Sequence, residues 1–207
     1  MSRTITKLFD NYSDAKSALA ALEQLGVPHS DISIVASNAD GAHGTDDGAD
    51  LGDVNDHGDV SRGVSTGAAI GGVGGLLAGL GLLAIPGLGP IVAAGWLVST
   101  AVGASIGAAG GAATGGIVGA LKNAGHSDDE ANVYAEGVRR GGTLLSARVD
   151  DALAPDADEI LKGHRSVDAA KRGPAYRQEG WASFDETAPT YGRDQIDAER
   201  TRNSSAM

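Results

Sequence analysis

Three short motifs in this 207-residue chain have spacings that chemistry uses. Gly63-Val-Ser65-Thr-Gly67 has the G-x-S-x-G form of a nucleophile elbow, where a strand-to-helix turn offers a serine to a histidine partner. An aspartate-rich stretch precedes it and an uncharged glycine-rich one follows, so the match is read as coincidence. Gly79-Leu-Gly81-Leu-Leu-Ala84 has the outline of a dinucleotide loop, but nothing before it reads as the strand that aims such a loop at a pyrophosphate. Asp53-Val-Asn55-Asp56-His57-Gly58 opens like an EF-hand loop. The twelfth position, where a bidentate glutamate closes calcium coordination, falls on Val64. The five histidines (29, 43, 57, 126 and 164) form no i, i+4 pair, and there is no cysteine for a thiolate site or nucleophile. A net charge of -11 argues against nucleic acid as a partner. The sequence therefore assigns no catalytic residue, metal or cofactor, and predicts that the chain is not an enzyme.

The spacing that does carry information belongs to glycine. All 43 charged side chains lie outside residues 63–121, which hold 18 of the 32 glycines. Gly63, Gly67, Gly71, Gly75 and Gly79 recur every fourth residue, and so do Gly103, Gly107, Gly111, Gly115 and Gly119. Pro86-Gly87-Leu-Gly89-Pro90 divides the block and predicts a turn. The arms, 64–85 and 91–121, would be helices about 33 and 46 Å long, against roughly 30 Å of bilayer hydrocarbon. Ten glycines in helices cost on the order of 10 kcal/mol in water. Lipid enforces the helix, and the glycines then let backbones approach closely. The spacing predicts a glycine-zippered helical hairpin with its apolar tip, Leu76 to Val98, in a membrane; a buried soluble hairpin is the other reading. Five residues four apart sweep about 160° around a helix, more than one crossing partner can meet, which points to a homo-oligomer.

The elements around the block are ordinary. Residues 4–9 alternate as a strand; Ser13 to Leu25 has helical spacing and stops at Gly26; 31–37 is a β-branched strand. Residues 38–62, with seven aspartates and five glycines, read as a self-repelling acidic linker. Ser127 with Glu130 makes a capping box that opens a helix ending at Arg139-Arg140-Gly141-Gly142. Those arginines complement the helix dipole or, alternatively, meet anionic headgroups. Residues 143–149 predict a strand, 155–162 a helix, and 165–171 a fourth strand. Two β-α-β halves of this kind predict a split ferredoxin-like α+β sandwich. Residues 173–207, with isolated Tyr176, Trp181, Phe184 and Tyr191, read as a disordered tail.

The segments TKLFDNYSDAKSALAALEQLGV, ISIVAS, DDEANVYAEGVRRGGTLLSARVDD and ADEILKGHRSVDAAKR, with the glycine-rich double span between them, resemble bacterial general stress proteins carrying a YflT-type (heat-induced stress protein) domain. Tyr134-Ala-Glu-Gly-Val-Arg-Arg-Gly-Gly142 is the most specific portion. The resemblance covers about residues 3–172 and implies a bacterial stress-response protein; it brings no catalytic residues with it.

The expected organisation is thus a first βαβ half (1–37), an acidic linker (38–62), the hairpin (63–121), a helix with the second βαβ half (122–172) and a tail (173–207). The expected function is a non-enzymatic stress-response protein, associated with the cytoplasmic membrane through a self-associating hairpin, its sandwich facing the cytoplasm. The alternative is a soluble, cytoplasmic oligomeric binding or sensor module whose hairpins bundle with one another.

Overall fold

The structure is a computed structural model that describes residues 2–39, 41, 81–85, 87–100 and 116–205. In chain order the elements are β1 (Ser2–Phe9), α1 (Tyr12–Leu25), β2 (Ile32–Ser37), β3 (Gly81–Ile85), β4 (Gly89–Ala94), α2 (Gly116–Asn123), α3 (Asp128–Arg139), β5 (Thr143–Asp150), α4 (Ala154–Gly163), α5 (Ala169–Gln178) and α6 (Arg193–Ser205). Residues 96–100 are also helical. The five strands form one sheet in the order β1-β5-β2-β4-β3, antiparallel at every pairing. The chain is therefore mixed α and β, as its alternation of strand and helix patterns predicts.

Both faces of the sheet are covered, because successive side chains on a strand point to opposite sides. Phe9, Ile34, Ala94 and Leu145 join α1 and α4 in one apolar core, through Leu19, Leu22, Ala157 and Leu161. Their neighbours Leu8, Val35, Ala93 and Leu144 join α2, α3 and α5 in a second, through Leu121, Val133, Val138 and Tyr176. The result is three layers. Ser127 caps α3 as expected: its hydroxyl accepts from the Glu130 N–H, and the Glu130 carboxylate accepts from the Ser127 N–H. Such a cap contributes about 1 kcal/mol.

The central block departs from the helical hairpin. Residues 81–85 and 91–94, placed by the spacing inside two long helices, lie instead in the two strands of a β-hairpin, 81–85 and 89–94. Its register pairs Gly81 with Ala93 and Ile85 with Gly89. The expected turn survives: Gly87 and Gly89 both adopt φ of 76°, a left-handed conformation that glycine takes without strain, and Gly89-Pro90 opens β4. A continuous apolar run such as LLAI or IVAA suits a strand as well as a helix, and here pairing of β4 with β2 and of β3 with β4 decides it. The turn and the start of β4 pack against the body of the protein. Leu88 and Ile91 are fully buried, and a Cβ on Gly87 would meet Phe184 and Glu186 at 2.9 and 2.7 Å. Among the described residues, no helix is long and apolar enough to cross a membrane.

Two further expectations change. The segment 165–171 contributes a single bridge, Val167 beside Leu8 of β1, and then enters α5 instead of continuing as a strand. Residues 173–205, expected to be disordered, contain the end of α5 and all of α6, with Tyr176 and Ile196 buried.

Candidate functional site

Of the residues singled out by the glycine spacing, the structure describes Gly119, on α2, and the turn residues Gly87, Gly89 and Pro90. Gly63, Gly67, Gly71, Gly75, Gly79, Gly103, Gly107, Gly111, Gly115 and Pro86 lie outside the described residues. So do the acidic stretch 42–62 and the G-x-S-x-G motif. The β3–β4 register nevertheless fixes how the two glycine-rich stretches attach. Gly81 closes the first stretch and pairs with Ala93, two residues before Gly95 and the helical turn at 96–100 that opens the second. Both stretches therefore join the hairpin at the same end, opposite its turn.

The densest chemistry lies elsewhere, at the C-terminus of α3. Glu136 is 0% exposed, yet it holds two arginines that are themselves 9% and 6% exposed, Arg139 and Arg140. Arg139 Nη2 donates to Glu136 Oε1 at 2.8 Å and Arg140 Nε to the same oxygen at 2.7 Å. Arg140 Nη1 also donates to Glu179 at 2.5 Å and to Glu199 of α6 at 3.4 Å. Its guanidinium lies 4.0 Å above the Tyr176 ring, and Tyr191 sits 5.6 and 5.7 Å from Arg139 and Arg140. Burial alone would lower the Arg140 pKa; hydrogen bonds to Glu136 and Glu179 more than offset it, and the guanidinium is held above its usual range. Burial drives the Tyr176 hydroxyl pKa upward. Glu179 is held below the usual carboxylate range, its partial burial being outweighed by Arg140 and Arg202. The arginines thus do not reach out to headgroups. They are internal, as an arginine fork with carboxylate partners and an aromatic lid can be.

The chain turns sharply just after these arginines. Gly141 has φ of 94°, and the Gly141 and Gly142 N–H groups donate to the Val138 and Gly137 carbonyls, closing α3 in a Schellman motif. The absent side chain at Gly141 leaves a seat that Ile196 of α6 fills; a Cβ there would overlap it. Asp10, at the end of β1, completes the corner: it accepts from Arg172 at 2.8 Å and from Asn203 of α6 at 3.0 Å.

A second polar cluster crosses the same face of the sheet. Thr6 Oγ1 lies 2.9 Å from Ser146 Oγ and 2.7 Å from His126 Nε2, while the Thr6 carbonyl accepts from the Tyr134 hydroxyl at 2.8 Å. His126 Nδ1 is 4.0 Å from Glu130. Burial lowers the His126 pKa, with Glu130 opposing. Hydroxyl, imidazole and carboxylate are in sequence, but Thr6 and Ser146 are buried, so the cluster ties β1, β5 and α3 together. Among the described residues no group of acidic and histidine side chains could hold a metal ion. The chain matches no protein-family model, no curated protein and no solved structure.

Sequence reading missed the arginine corner. The Arg-Arg-Gly-Gly run signalled a helix end, but the partners Asp10, Glu179, Glu199 and Asn203 are 39 to 193 positions from the residues they meet. Only the spacing Ile196, Glu199, Asn203, which falls on one helical face, hinted at docking.

Proposed function

We propose that the chain is a non-enzymatic, self-associating stress-response protein, in which the α/β body presents two glycine-rich stretches side by side for packing against those of another copy. The observation that carries this reading is the β3–β4 register, which attaches both period-four stretches to one end of one hairpin. Neither stretch has a charge to solvate, and small residues every fourth position allow the close approach that helix–helix contacts exploit. The stress-response part rests on the sequence resemblance. The body fits a ferredoxin-like core, since β1 and β2 flank β5 and the single Val167 bridge stands beside β1, where a fourth strand would lie. On this reading the glycine zipper is an association device, and the sheet is its mount.

Light scattering on the purified full chain tests this. Replacing Gly67, Gly71, Gly107 and Gly111 with isoleucine is expected to convert an oligomer to a monomer while the near-ultraviolet circular dichroism persists. A wild-type chain that is monomeric, or an oligomer indifferent to the four substitutions, overturns the proposal. Retention of both proteins in the pellet after alkaline carbonate extraction of lysed cells would replace it with membrane anchoring.

A further inference from the structure

On the polar face, the described covering layer stops short of one end of the sheet. Directly opposed residues of β1 and β5 share a face, so the pairs Thr6–Ser146 and Thr4–Arg148 follow one another along it. Thr6 and Ser146 are 4% and 0% exposed, beneath His126 at the turn between α2 and α3. One step further, Thr4 is half-buried and Arg148 is exposed, although β5 has a strand on either side. An exposed position on an inner strand marks a gap in the described layer above it.

Arg148 is held in place within that gap. Its guanidinium lies 3.8 Å from the centre of the Trp96 ring. Trp96 stands at the start of the helical turn 96–100 and packs, partly buried, against the core of this face. Its indole N–H donates to the Asp31 carbonyl at 3.1 Å. The ring is thus fixed by packing and at its edge, and it offers Arg148 a flat support. A guanidinium stacked on a ring keeps its N–H donors in its own plane, available to a further partner. Among the described residues no hydrogen bond or ion pair uses them, whereas Arg3, Arg165, Arg172 and Arg177 each reach an aspartate. The hydroxyl of Thr4, directly opposite Arg148, is likewise without a hydrogen-bond partner.

The donors decide what would fit. A fork of coplanar N–H groups matches two oxygens of one carboxylate or phosphate, and a neighbouring hydroxyl can donate to the same group. A cation would meet the charge of Arg148 with no carboxylate to offset it. We propose that Arg148, Thr4 and Trp96 form a binding site for an oxyanion, the phosphate or carboxylate group of a small ligand. Arg148 grips the group in bidentate fashion, Thr4 adds a hydroxyl, and Trp96 holds the plane of the fork. The site adjoins Gly95 but uses none of the period-four glycines, so it stands or falls separately from self-association.

The test reads Trp96 directly. Trp181→Phe leaves Trp96 as the one tryptophan, and because the Trp181 indole N–H has no partner the exchange loses no hydrogen bond. The full chain with this replacement is titrated with sodium phosphate and, separately, with sodium acetate, sodium chloride keeping the ionic strength constant. Trp96 fluorescence should change saturably, and the anion bound more tightly assigns the group. Arg148→Lys keeps the charge without the fork and should raise the dissociation constant at least about tenfold. Arg148→Gln should abolish the response, and Thr4→Val should weaken it. Arg148 is exposed, so these chains should keep the near-ultraviolet circular dichroism of their parent. The phosphorus-31 linewidth of phosphate and the carbon-13 linewidth of acetate repeat the comparison without relying on the indole. A response absent by both readouts, or undiminished in Arg148→Gln or Arg148→Lys, overturns the proposal.

Discussion

The two faces of the sheet are built from different materials. On the α1 and α4 side the core is aliphatic and small: Ala15, Ala18, Leu19 and Leu22 lie against Phe9, Ile34 and Leu145. Its charge is Lys7, 8% exposed, whose partners Asp158 and Asp168 are themselves partly exposed and which is held above its usual pKa despite its burial. On the α2, α3 and α5 side the layer contains buried polar groups: Thr6 bonded to Ser146 and His126, and Glu136 with Arg139 and Arg140. An aliphatic face needs only shape; a face with buried charge needs every partner in place. The first face therefore acts as foundation. The second is where the chain's own tail docks and where the hairpin turn meets the segment before α6.

The largest effect expected from that contrast is at Glu136. Removing one member of a buried ion pair leaves the others uncompensated and costs about 3–5 kcal/mol. Glu136→Gln keeps the volume and removes the charge, so the urea midpoint should fall sharply. Leu19→Ala, on the other face, should cost a similar 2–5 kcal/mol through the cavity it leaves. What separates them is α6. Hydrogen exchange of the amides in 193–205 should accelerate in Glu136→Gln, because Arg140 loses the partner that orients it toward Glu199. It should stay unchanged, relative to global stability, in Leu19→Ala. Equal acceleration in both would mean that α6 senses stability alone and that the two faces are not distinct.

The same contrast explains what the sequence could reveal. The aliphatic face was legible, because the alternation in 4–9, the β-branched run 31–37 and the helical spacing in 13–25 are local patterns. The capped start of α3 was legible for the same reason, since Ser127 and Glu130 are three residues apart. Residues 81–94 were not. Their apolar run lies between the two period-four glycine series, and the pairing with Ile34 to Ser37 that makes 91–94 a strand comes from 54 to 60 positions away. The arginine corner was hidden by its connectivity: nothing near Arg140 shows that Glu199 will meet it. The tail was hidden by composition, because a helix held by one isoleucine and several charges has the same makeup as a disordered segment.

A smaller effect is expected at Ser127, at the mouth of the polar face. Ser127→Ala removes both the side-chain cap and the hydroxyl that donates to Glu130 at 2.8 Å, a loss of about 1 kcal/mol. Glu130, whose pKa is lowered first by the Ser127 backbone N–H, which the variant keeps, and next by the Ser127 hydroxyl, should titrate part of the way back toward the ordinary 4.5, measurable by carbon-13 chemical shifts. An unchanged Glu130 titration would show that the hydroxyl has no share in setting its charge.

The smallest effect, and the one that tests the faces most finely, is the pH dependence carried by His126. Its folded pKa is lowered below the ordinary 6.5 because burial disfavours the imidazolium. The unfolded chain therefore binds a proton that the folded chain does not, and stability falls as pH drops below about 6.5, levelling once the pH passes the folded pKa. The carboxylates on this face act in the same direction but in a lower window, since Glu130 is held below 4.5 and loses its contribution only as it protonates. Urea midpoints measured between about pH 7 and 5.5 isolate the imidazole from the carboxylates. His126→Gln, which retains a donor toward Thr6, should flatten that slope; a Lys7→Met chain, altered only on the aliphatic face, should keep it. A slope that survives in His126→Gln would move the titrating group off the polar face. A slope lost in Lys7→Met would show that the two sides of β1, one residue apart along the strand, are electrostatically one.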